Sequence, residues 1–354
     1  MPPDVTPPPP AFEEAYRQLE RLWARGTRFL GSRYAILGGA MTWVSERHLV
    51  SAISNAGGFG VIACGSMSPA QLAEEIAATQ AMTSKPFGVN LITLHPALDD
   101  LIRVCVEAGV GHVVLAGGIP SAAAVRAVKD GGAKLVCFAP ALVLARRLVR
   151  AGADALVIEG SEAGGHIGPV SLTVLAQEIL PHIREVPVFV AGGIGRGEAI
   201  LAFLEMGAAG AQLGTRFAAA KESIAHPRFK QAFIRAQARD AVPSVQLDER
   251  LPVIPVRALA NAGTRRFLQH QEDMRRRLLA GEISKEEAQL AVEHYWAGAL
   301  RRAVIEGDVE NGSVMAGQSV GMVTAEQPIS EIIDELVSQA VAALAARMHP
   351  SEAQ

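Results

Sequence analysis

Eight short apolar segments recur between residues 35 and 215, and this repetition limits the fold more than any other feature of the sequence. The segments are mainly apolar, most end in glycine or a small or polar residue, and each starts 21 to 33 residues after the previous one. Apolar strands without polar alternation are buried on both faces, and helical stretches between them indicate βα units with a parallel sheet. The segments are Ala35–Gly39, Gly60–Ala63, Phe87–Leu91, His112–Gly117, Lys134–Phe138, Ala155–Glu159, Val188–Gly192 and Ala211–Thr215.

Eight strands within about 180 residues favour a closed (β/α)8 TIM barrel. An open doubly wound sheet usually has about five or six strands, and its dinucleotide fingerprint G-x-G-x-x-G does not fit the glycine-rich segment Gly192–Gly197. Active sites of such barrels lie at the C-terminal ends of the strands, where this chain concentrates its glycines and polar residues. Turn requirements explain some of these glycines, but not pairs recurring at several strand ends.

The remaining segments predict a division of the chain around this barrel. The stretch after the eighth strand exceeds ordinary loop lengths and has a charged, helical pattern, so we expect it to form an insertion that lies over the active-site mouth as a lid. The last helix has one apolar stripe and is expected to close the barrel. The predicted parts are residues 1–30, a disordered proline-rich leader with a short amphipathic helix over 12–26; residues 31–217, the barrel strands; residues 218–310, the helical insertion; and residues 311–354, a return to the site with the closing helix 329–348.

Composition narrows the function classes. A net charge of −3 gives no broad electrostatic attraction to nucleic acid or to an anionic membrane surface. The sequence has neither a signal-peptide pattern nor an apolar run of about 18 residues, which predicts a cytoplasmic protein. Its three cysteines are too few and too far apart for a disulfide framework or a metal-ligand pair, so we predict no metal site.

The segment Glu159–Gly168 follows the sixth apolar run and combines glycines, carboxylates and one histidine. Glycines allow a flat or anionic ligand to approach main-chain N–H groups. Histidine exchanges a proton near neutrality, so His166 is a candidate catalytic acid or base. The alternative is a loop histidine that caps a carbonyl group.

Eight ordered motifs carry a resemblance to a known family. They are Met41-x-Trp43-Val44, Asn55–Gly60, Lys85–Asn90, Glu162–His166, Ala191–Ile194, Gly214–Phe217, Lys221–Pro227 and Met315–Gln318. Together, from about residue 30 to residue 345, they resemble the nitronate monooxygenase family, once called 2-nitropropane dioxygenases. That family also contains the FMN-dependent enoyl-acyl-carrier-protein reductase II, and the C-terminal segment with Val256–Leu259 and Gly307–Val309 is closest to this branch.

The resemblance implies non-covalent FMN, with NADH or NADPH as a reductant, O₂ and a small molecule as reaction partners, and a homodimer. It places the phosphate on the main chain after the seventh and eighth strands, and His166 beside the flavin as acid, base or orienting group. The implied cofactor-binding residues are Gly39, Ala40, Met41, Asn90, Glu159, Gly164, Gly165, Ala191, Gly192, Gly193, Gln212, Gly214, Thr215, Met315, Gly317 and Gln318.

Two departures from the family pattern bear on which substrate we expect. Relatives commonly have Gln-Gly-Gly-Met after the first strand, whereas this chain has Gly38–Met41, and its fifth strand ends without the lysine that some nitronate monooxygenases place there. The methyl group of Ala40 narrows the approach to the flavin, and no cluster of basic residues serves an acidic carrier protein. These points place nitronate oxidation with O₂ first and NAD(P)H-dependent enoyl-thioester reduction second.

Two functions of other classes stay open on the residues. A Schiff-base aldolase or sugar-phosphate isomerase on this barrel needs a lysine or glutamate base at a strand end, but Lys134 starts its strand and Lys221 lies beyond the phosphate segment. A flavin-binding protein without turnover is the other, and reduction of a bound yellow chromophore by substrate or NAD(P)H distinguishes it from an enzyme.

Overall fold

The computed structural model describes residues 10–65, 67–251 and 253–348, and in these residues eight parallel strands form the predicted (β/α)8 barrel. Each barrel strand covers one predicted apolar segment to within one or two residues at either end. The strands are β1 (Ile36–Gly38), β2 (Gly60–Ala63), β3 (Phe87–Ile92), β4 (His112–Ala116), β5 (Lys134–Phe138), β6 (Ala155–Glu159), β8 (Val188–Ala191) and β9 (Gly210–Leu213), with β7 (Gly165–His166) outside the barrel.

Main-chain hydrogen bonds close the barrel between its first and second strands. Neighbouring strands follow the order β1-β9-β8-β6-β5-β4-β3-β2, which leaves β1 and β2 at the two ends. There the N–H of Phe59 donates to the carbonyl of Ile36 at 2.9 Å, and the N–H of Gly38 donates to the carbonyl of Phe59 at 2.9 Å. The strand residues are almost all buried, because helices cover the outer face of the barrel and side chains fill its interior.

Helices surround the barrel. The predicted N-terminal helix extends over Pro10–Leu30 and buries Leu19 and Trp23, while the proline-rich leader before it lies outside the described residues. The helices are α1 (Pro10–Leu30), α2 (Arg47–Asn55), α3 (Pro69–Met82), α4 (Leu98–Glu107), α5 (Ala122–Asp130), α6 (Leu142–Ala151), α7 (Leu172–Ile179), α8 (Gly197–Glu205), α9 (Thr215–Ala218), α10 (Pro227–Arg235), α11 (Ala262–Leu279), α12 (Lys285–Val304) and α13 (Ile329–Met348). In the part of the chain described, no helix is both long and apolar enough to cross a membrane.

The segment after β9 contains strands as well as the predicted helices. Strand β10 (Ala241–Pro243) pairs with β11 (Val256–Leu259), and β11 pairs in turn with β7, all antiparallel. The helical prediction was therefore incomplete, because strands of three or four residues carry no readable periodicity. The insertion also has a hydrophobic core of its own, in which the rings of Phe267 and Trp296 lie 4.0 Å apart.

Replacement of Gly26 by alanine is predicted to destabilise the fold. A Cβ atom at Gly26, in α1, would lie 2.0 Å from the carbonyl oxygen of Ala209, so α1 would have to move away from the barrel. We expect Gly26→Ala to lower the free energy of unfolding by about 1–3 kcal/mol, the usual cost of overpacking. Urea denaturation followed by circular dichroism measures it.

Gly298→Ala is the matched control for this substitution. Gly298 lies in α12, and the nearest atom to its added Cβ is the flexible end of Arg302 at 3.9 Å. Because alanine is the better helix former, we expect this variant to be unchanged or more stable by up to about 1 kcal/mol. Equal effects of the two substitutions would contradict the close packing of α1.

Candidate active site

Three polar side chains at strand ends lack a protein partner. Asn90, Glu159 and Gln212 lie at or near the C-terminal ends of β3, β6 and β9. Among the described residues, none of these side chains makes a hydrogen bond. Their polar atoms are not fully enclosed, so a ligand can reach them. Three polar side chains that have no protein partner and remain accessible, all at one end of a barrel, indicate a site for a polar ligand.

The register of the sheet brings two of them together. Glu159 pairs with Ala191, and Ala191 pairs with Gln212, so these residues lie side by side across β6, β8 and β9. Burial raises the pKa of Glu159 to about 8. The carboxyl group is therefore mostly protonated at neutral pH, and it can donate a hydrogen bond to a ligand as well as accept one.

The glycine pair after β8 permits close packing against the histidine loop. Gly192 and Gly193 have φ values of 98° and 70°, a region that side-chain-bearing residues rarely adopt. A Cβ atom on Gly192 would lie 2.9 Å from the carbonyl oxygen of Gly160, and one on Gly193 would lie 2.9 Å from the Cβ of Glu162. These glycines therefore have a packing role of their own, in addition to the ligand contact predicted for them.

The end of β9 leads directly into the short helix α9. Gly214 is its N-cap and Thr215 its first residue, so the first N–H groups of α9 have no acceptor within the helix. The hydroxyl of Thr215 accepts a hydrogen bond from the N–H of Gly317 at 3.0 Å. This connects the predicted segment 315–318 to the end of β9.

The loop after β1 is fixed by a serine that the sequence analysis did not single out. Ser45 is buried, its hydroxyl donates to the carbonyl of Gly39 at 2.8 Å, and it accepts from the N–H of Met41 at 3.0 Å. The N–H of Gly39 donates to the carbonyl of Leu213 at 2.8 Å. Gly39, Ala40 and Met41 are thereby held beside the end of β9, where they were predicted to contact the cofactor.

His166 lies on an exposed two-residue strand that the insertion holds in place. His166 pairs with Val256, and Gly165 pairs with Arg257 of β11. The next N–H along the loop, that of Ile167, donates to the carbonyl of Pro255 at 2.9 Å. The backbone on which the predicted acid or base is mounted is thus part of a small sheet, not a free loop.

Residues 315–318 pack on the other side of this loop. The N–H of Gln318 donates to the carbonyl of Glu162 at 2.9 Å, and a Cβ atom on Gly164 would lie 2.6 Å from atoms of Ala316 and Gly317. The carboxylate of Glu162 accepts from the N–H of Leu172 at 3.0 Å, at the start of α7. Gly164 and Gly317 are therefore required for the contact between the two segments.

Most predicted site residues lie at the ends of β1, β6, β8 and β9 or in the segments 164–165 and 315–318 that contact them, whereas Asn90 lies on β3. Sequence reasoning missed Ser45, Glu162 and the structural importance of Arg257, although the last two stood in quoted motifs. In the described parts of the chain, no cluster of three or more His, Cys, Asp or Glu residues is arranged to hold a metal ion.

The raised pKa of Glu159 predicts how stability depends on pH. A carboxyl group whose pKa rises from 4.5 to about 8 on folding stabilises the protein fully below pH 4.5, and this contribution is lost as the pH rises through 8. We expect the melting temperature of the wild type, relative to Glu159→Gln, to fall between pH 5 and pH 9. Thermal unfolding at both pH values measures this difference, and a difference independent of pH would contradict the shift.

Comparisons with known proteins agree with this arrangement. The family model described as "Nitronate monooxygenase" matches residues 25–339. A Mycobacterium tuberculosis protein named (3aS,4S,5R,7aS)-5-hydroxy-7a-methyl-1-oxo-octahydro-1H-indene-4-carboxyl-CoA dehydrogenase is 29% identical over 340 residues, which cover 89% of this chain and 95% of that protein. A probable nitronate monooxygenase of Staphylococcus aureus is 26% identical over 360 residues, covering 89% and 96% of the two chains.

Two solved structures are similar over nearly the whole chain. FabK from Thermotoga maritima is 35% identical with a TM-score of 0.81, covering 92% of this chain and 98% of its own. Nitroalkane oxidase from Streptomyces ansochromogenes is 25% identical with a TM-score of 0.74, covering 90% and 99%. The chain therefore belongs to the nitronate monooxygenase family and is an oxidoreductase with a TIM-barrel fold.

Proposed function

We propose that the protein is an FMN-dependent oxidoreductase whose cofactor lies across the C-terminal end of the barrel. The observation that carries this proposal is the set of unpartnered polar side chains Asn90, Glu159 and Gln212 around that end. A flat cofactor with hydrogen-bonding edges fits such a set, and the resident chemistry that FMN supplies is hydride transfer and reaction with O₂.

The main chain after β8 and β9 would hold the phosphate group. Gly192 and Gly193 leave their N–H groups accessible without a side chain, and the first turn of α9 offers further unpaired N–H groups at Gly214 and Thr215. The segment Gly39–Met41 and the three polar side chains would border the ring system and the ribityl chain. One phosphate site without a dinucleotide fingerprint supports FMN over FAD.

His166 would serve as the acid or base of the reaction. It is exposed at the rim of the site, yet its backbone is fixed by pairing with Val256, so its imidazole is presented to the mouth from a defined position. Backbone groups of other segments would hold the cofactor. The imidazole would exchange a proton with the substrate.

For the substrate, we propose an acyl thioester as the first candidate. Large aliphatic side chains stand exposed around the barrel mouth: Leu94 after β3 is 82% exposed and Val143 after β5 is 75% exposed, with Ile119 after β4 also exposed. Isolated apolar residues are normal on surfaces, but several that follow the ends of neighbouring strands favour an apolar ligand. The name of the similar carboxyl-CoA dehydrogenase points to this class. An enoyl thioester would take a hydride that originates from NADH or NADPH, and His166 would donate the proton to the carbon next to the carbonyl group.

Nitronate oxidation with O₂ is the second candidate. The family name, the probable nitronate monooxygenases of Staphylococcus and the nitroalkane oxidase structure support it. Ala40 also favours a small substrate, because its methyl group occupies space beside the end of β9. In this reaction His166 would orient the nitronate or remove the α-proton of the parent nitroalkane.

One experiment tests both the proposed cofactor and the proposed order of the two substrates. We expect purified protein to be yellow, with FMN as the released cofactor by mass spectrometry, and to oxidise NADH or NADPH with a long 2-enoyl-CoA faster than it consumes O₂ with a small nitronate. Greater O₂ consumption with the nitronate would reverse the order of the two candidates. Release of FAD, or of no flavin, would reject the cofactor.

Replacement of His166 by alanine tests its catalytic role. We expect His166→Ala to retain flavin and to lose about 10²–10⁴ in kcat, the usual contribution of a positioned acid or base. His182→Ala is the control, because His182 is another exposed histidine, and among the described residues its ring bonds only to the carbonyl of Glu178 on α7. Wild-type turnover in His166→Ala with flavin retained would leave the histidine with a capping role only.

A further inference from the structure

Arg257 of β11 is a buried cation beside the histidine loop. It is only 7% exposed, and its Nε donates to the carbonyl of Ser161 at 2.9 Å while its Nη1 donates to the carbonyl of Ala241. Ser161 is the second residue after β6, so one side chain of the insertion reaches the start of the loop that carries His166.

Burial of this guanidinium requires an explanation. Within the described ranges it forms no ion pair, and burial lowers the pKa of Arg257 from its ordinary value while the charge of Glu162 opposes that shift. A buried charge without a close counter-ion is costly, and an apolar residue of similar size often stabilises a core as well or better. Packing alone therefore does not account for arginine at this position.

The contacts of Arg257 with the loop that carries His166 explain why an arginine is buried here. Side chains alternate along a strand, so Arg257 leaves β11 on the face opposite to Val256, the partner of His166. Its guanidinium holds the loop at Ser161, while the main chain of β11 and the residue before it hold the loop at residues 165–167. The loop is fixed at both ends by the same short strand.

We infer that Arg257 is a positioning residue, which sets the place of His166 by fixing the carbonyl of Ser161. It acts through the loop and does not itself contact substrate. This inference rests on the proposed role of His166, but the fixation of the loop is a property of the protein that can be measured without turnover or cofactor.

Hydrogen–deuterium exchange tests the fixation directly. In Arg257→Met, which keeps the apolar stem, we expect amides of residues 160–168 to exchange at least about tenfold faster while those of the barrel strands stay protected. Arg257→Lys retains one of the two donor contacts and should show an intermediate effect. Unchanged exchange of this segment in Arg257→Met would overturn the inference, as would equal acceleration throughout the barrel.

Kinetics test the consequence for catalysis. We expect kcat of Arg257→Met to fall by about 10- to 100-fold with KM and flavin content nearly unchanged, because small misplacement of a catalytic group is enough for such a loss, and Arg257→Lys to recover part of it. A loss of kcat that lysine does not relieve, or a change in KM alone, would overturn the positioning role.

Lys230→Met is the matched control. Lys230 is another buried cation of the insertion, and its ammonium group contacts a main-chain carbonyl and Glu326. In the part of the chain described, it makes no hydrogen bond or ion pair with residues 160–168. We expect this variant to lose stability while exchange of the loop and kcat stay near wild type. If the wild type carries no flavin, the proposed function fails, whereas the exchange arm still decides whether Arg257 fixes the loop.

Discussion

The antiparallel pairing between β7 and β11 is the interaction on which the arrangement of the site depends. A βα loop of a barrel has no ladder of its own, and the segment after β6 would otherwise rely on turns. Here Gly165 and His166 take part in a three-stranded sheet whose other strands come from the insertion. The insertion is consequently part of the site framework, and a movement of β11 would carry His166 with it.

The core of the insertion gives this pairing its rigidity. Val256 lies in a hydrophobic cluster with Phe267 and Trp296, separate from the main core around the barrel. Met315 contacts both clusters, and the N–H of Leu259 donates to the carbonyl of Val314 at 2.9 Å. Local opening of the histidine loop would therefore disturb packing in two places, which makes such opening unfavourable.

Close backbone contacts restrict several positions of the candidate site to glycine. Gly164, Gly192 and Gly317 all have neighbours within 2.9 Å of where a Cβ atom would stand, so these positions exclude any larger residue. Polar side chains that could bind a ligand are therefore found mainly at the strand ends. There burial raises the pKa of Glu159 to about 8, so its carboxyl group can add a hydrogen-bond donor to the candidate site without adding a negative charge.

Most of the barrel could be predicted from sequence because its signals are local. A buried parallel strand is a short apolar run, and barrel topology brings the residues at strand ends together. Glu159, Ala191 and Gln212, which the family resemblance assigned to one site, lie side by side for this reason. The pairing of Gly165 with Arg257 joins residues about 90 positions apart through very short strands, and neither carries a periodic pattern. Arg257 was visible only as part of a motif, since its role depends on that pairing.

The two candidate substrates make different demands on this framework. A small nitronate would need only the strand ends and the imidazole of His166. A long acyl thioester would need an apolar surface beyond the strand ends, and the exposed aliphatic side chains and the segment before β11 offer one, where Val245 and Ile254 are 58% and 55% exposed. Since the carbonyl of Pro255, next to Ile254, binds the histidine loop, an acyl group on that segment would lie beside the residues that fix His166. Substrate length and acid–base geometry would then be coupled through the insertion, a coupling that a nitronate oxidase would not require.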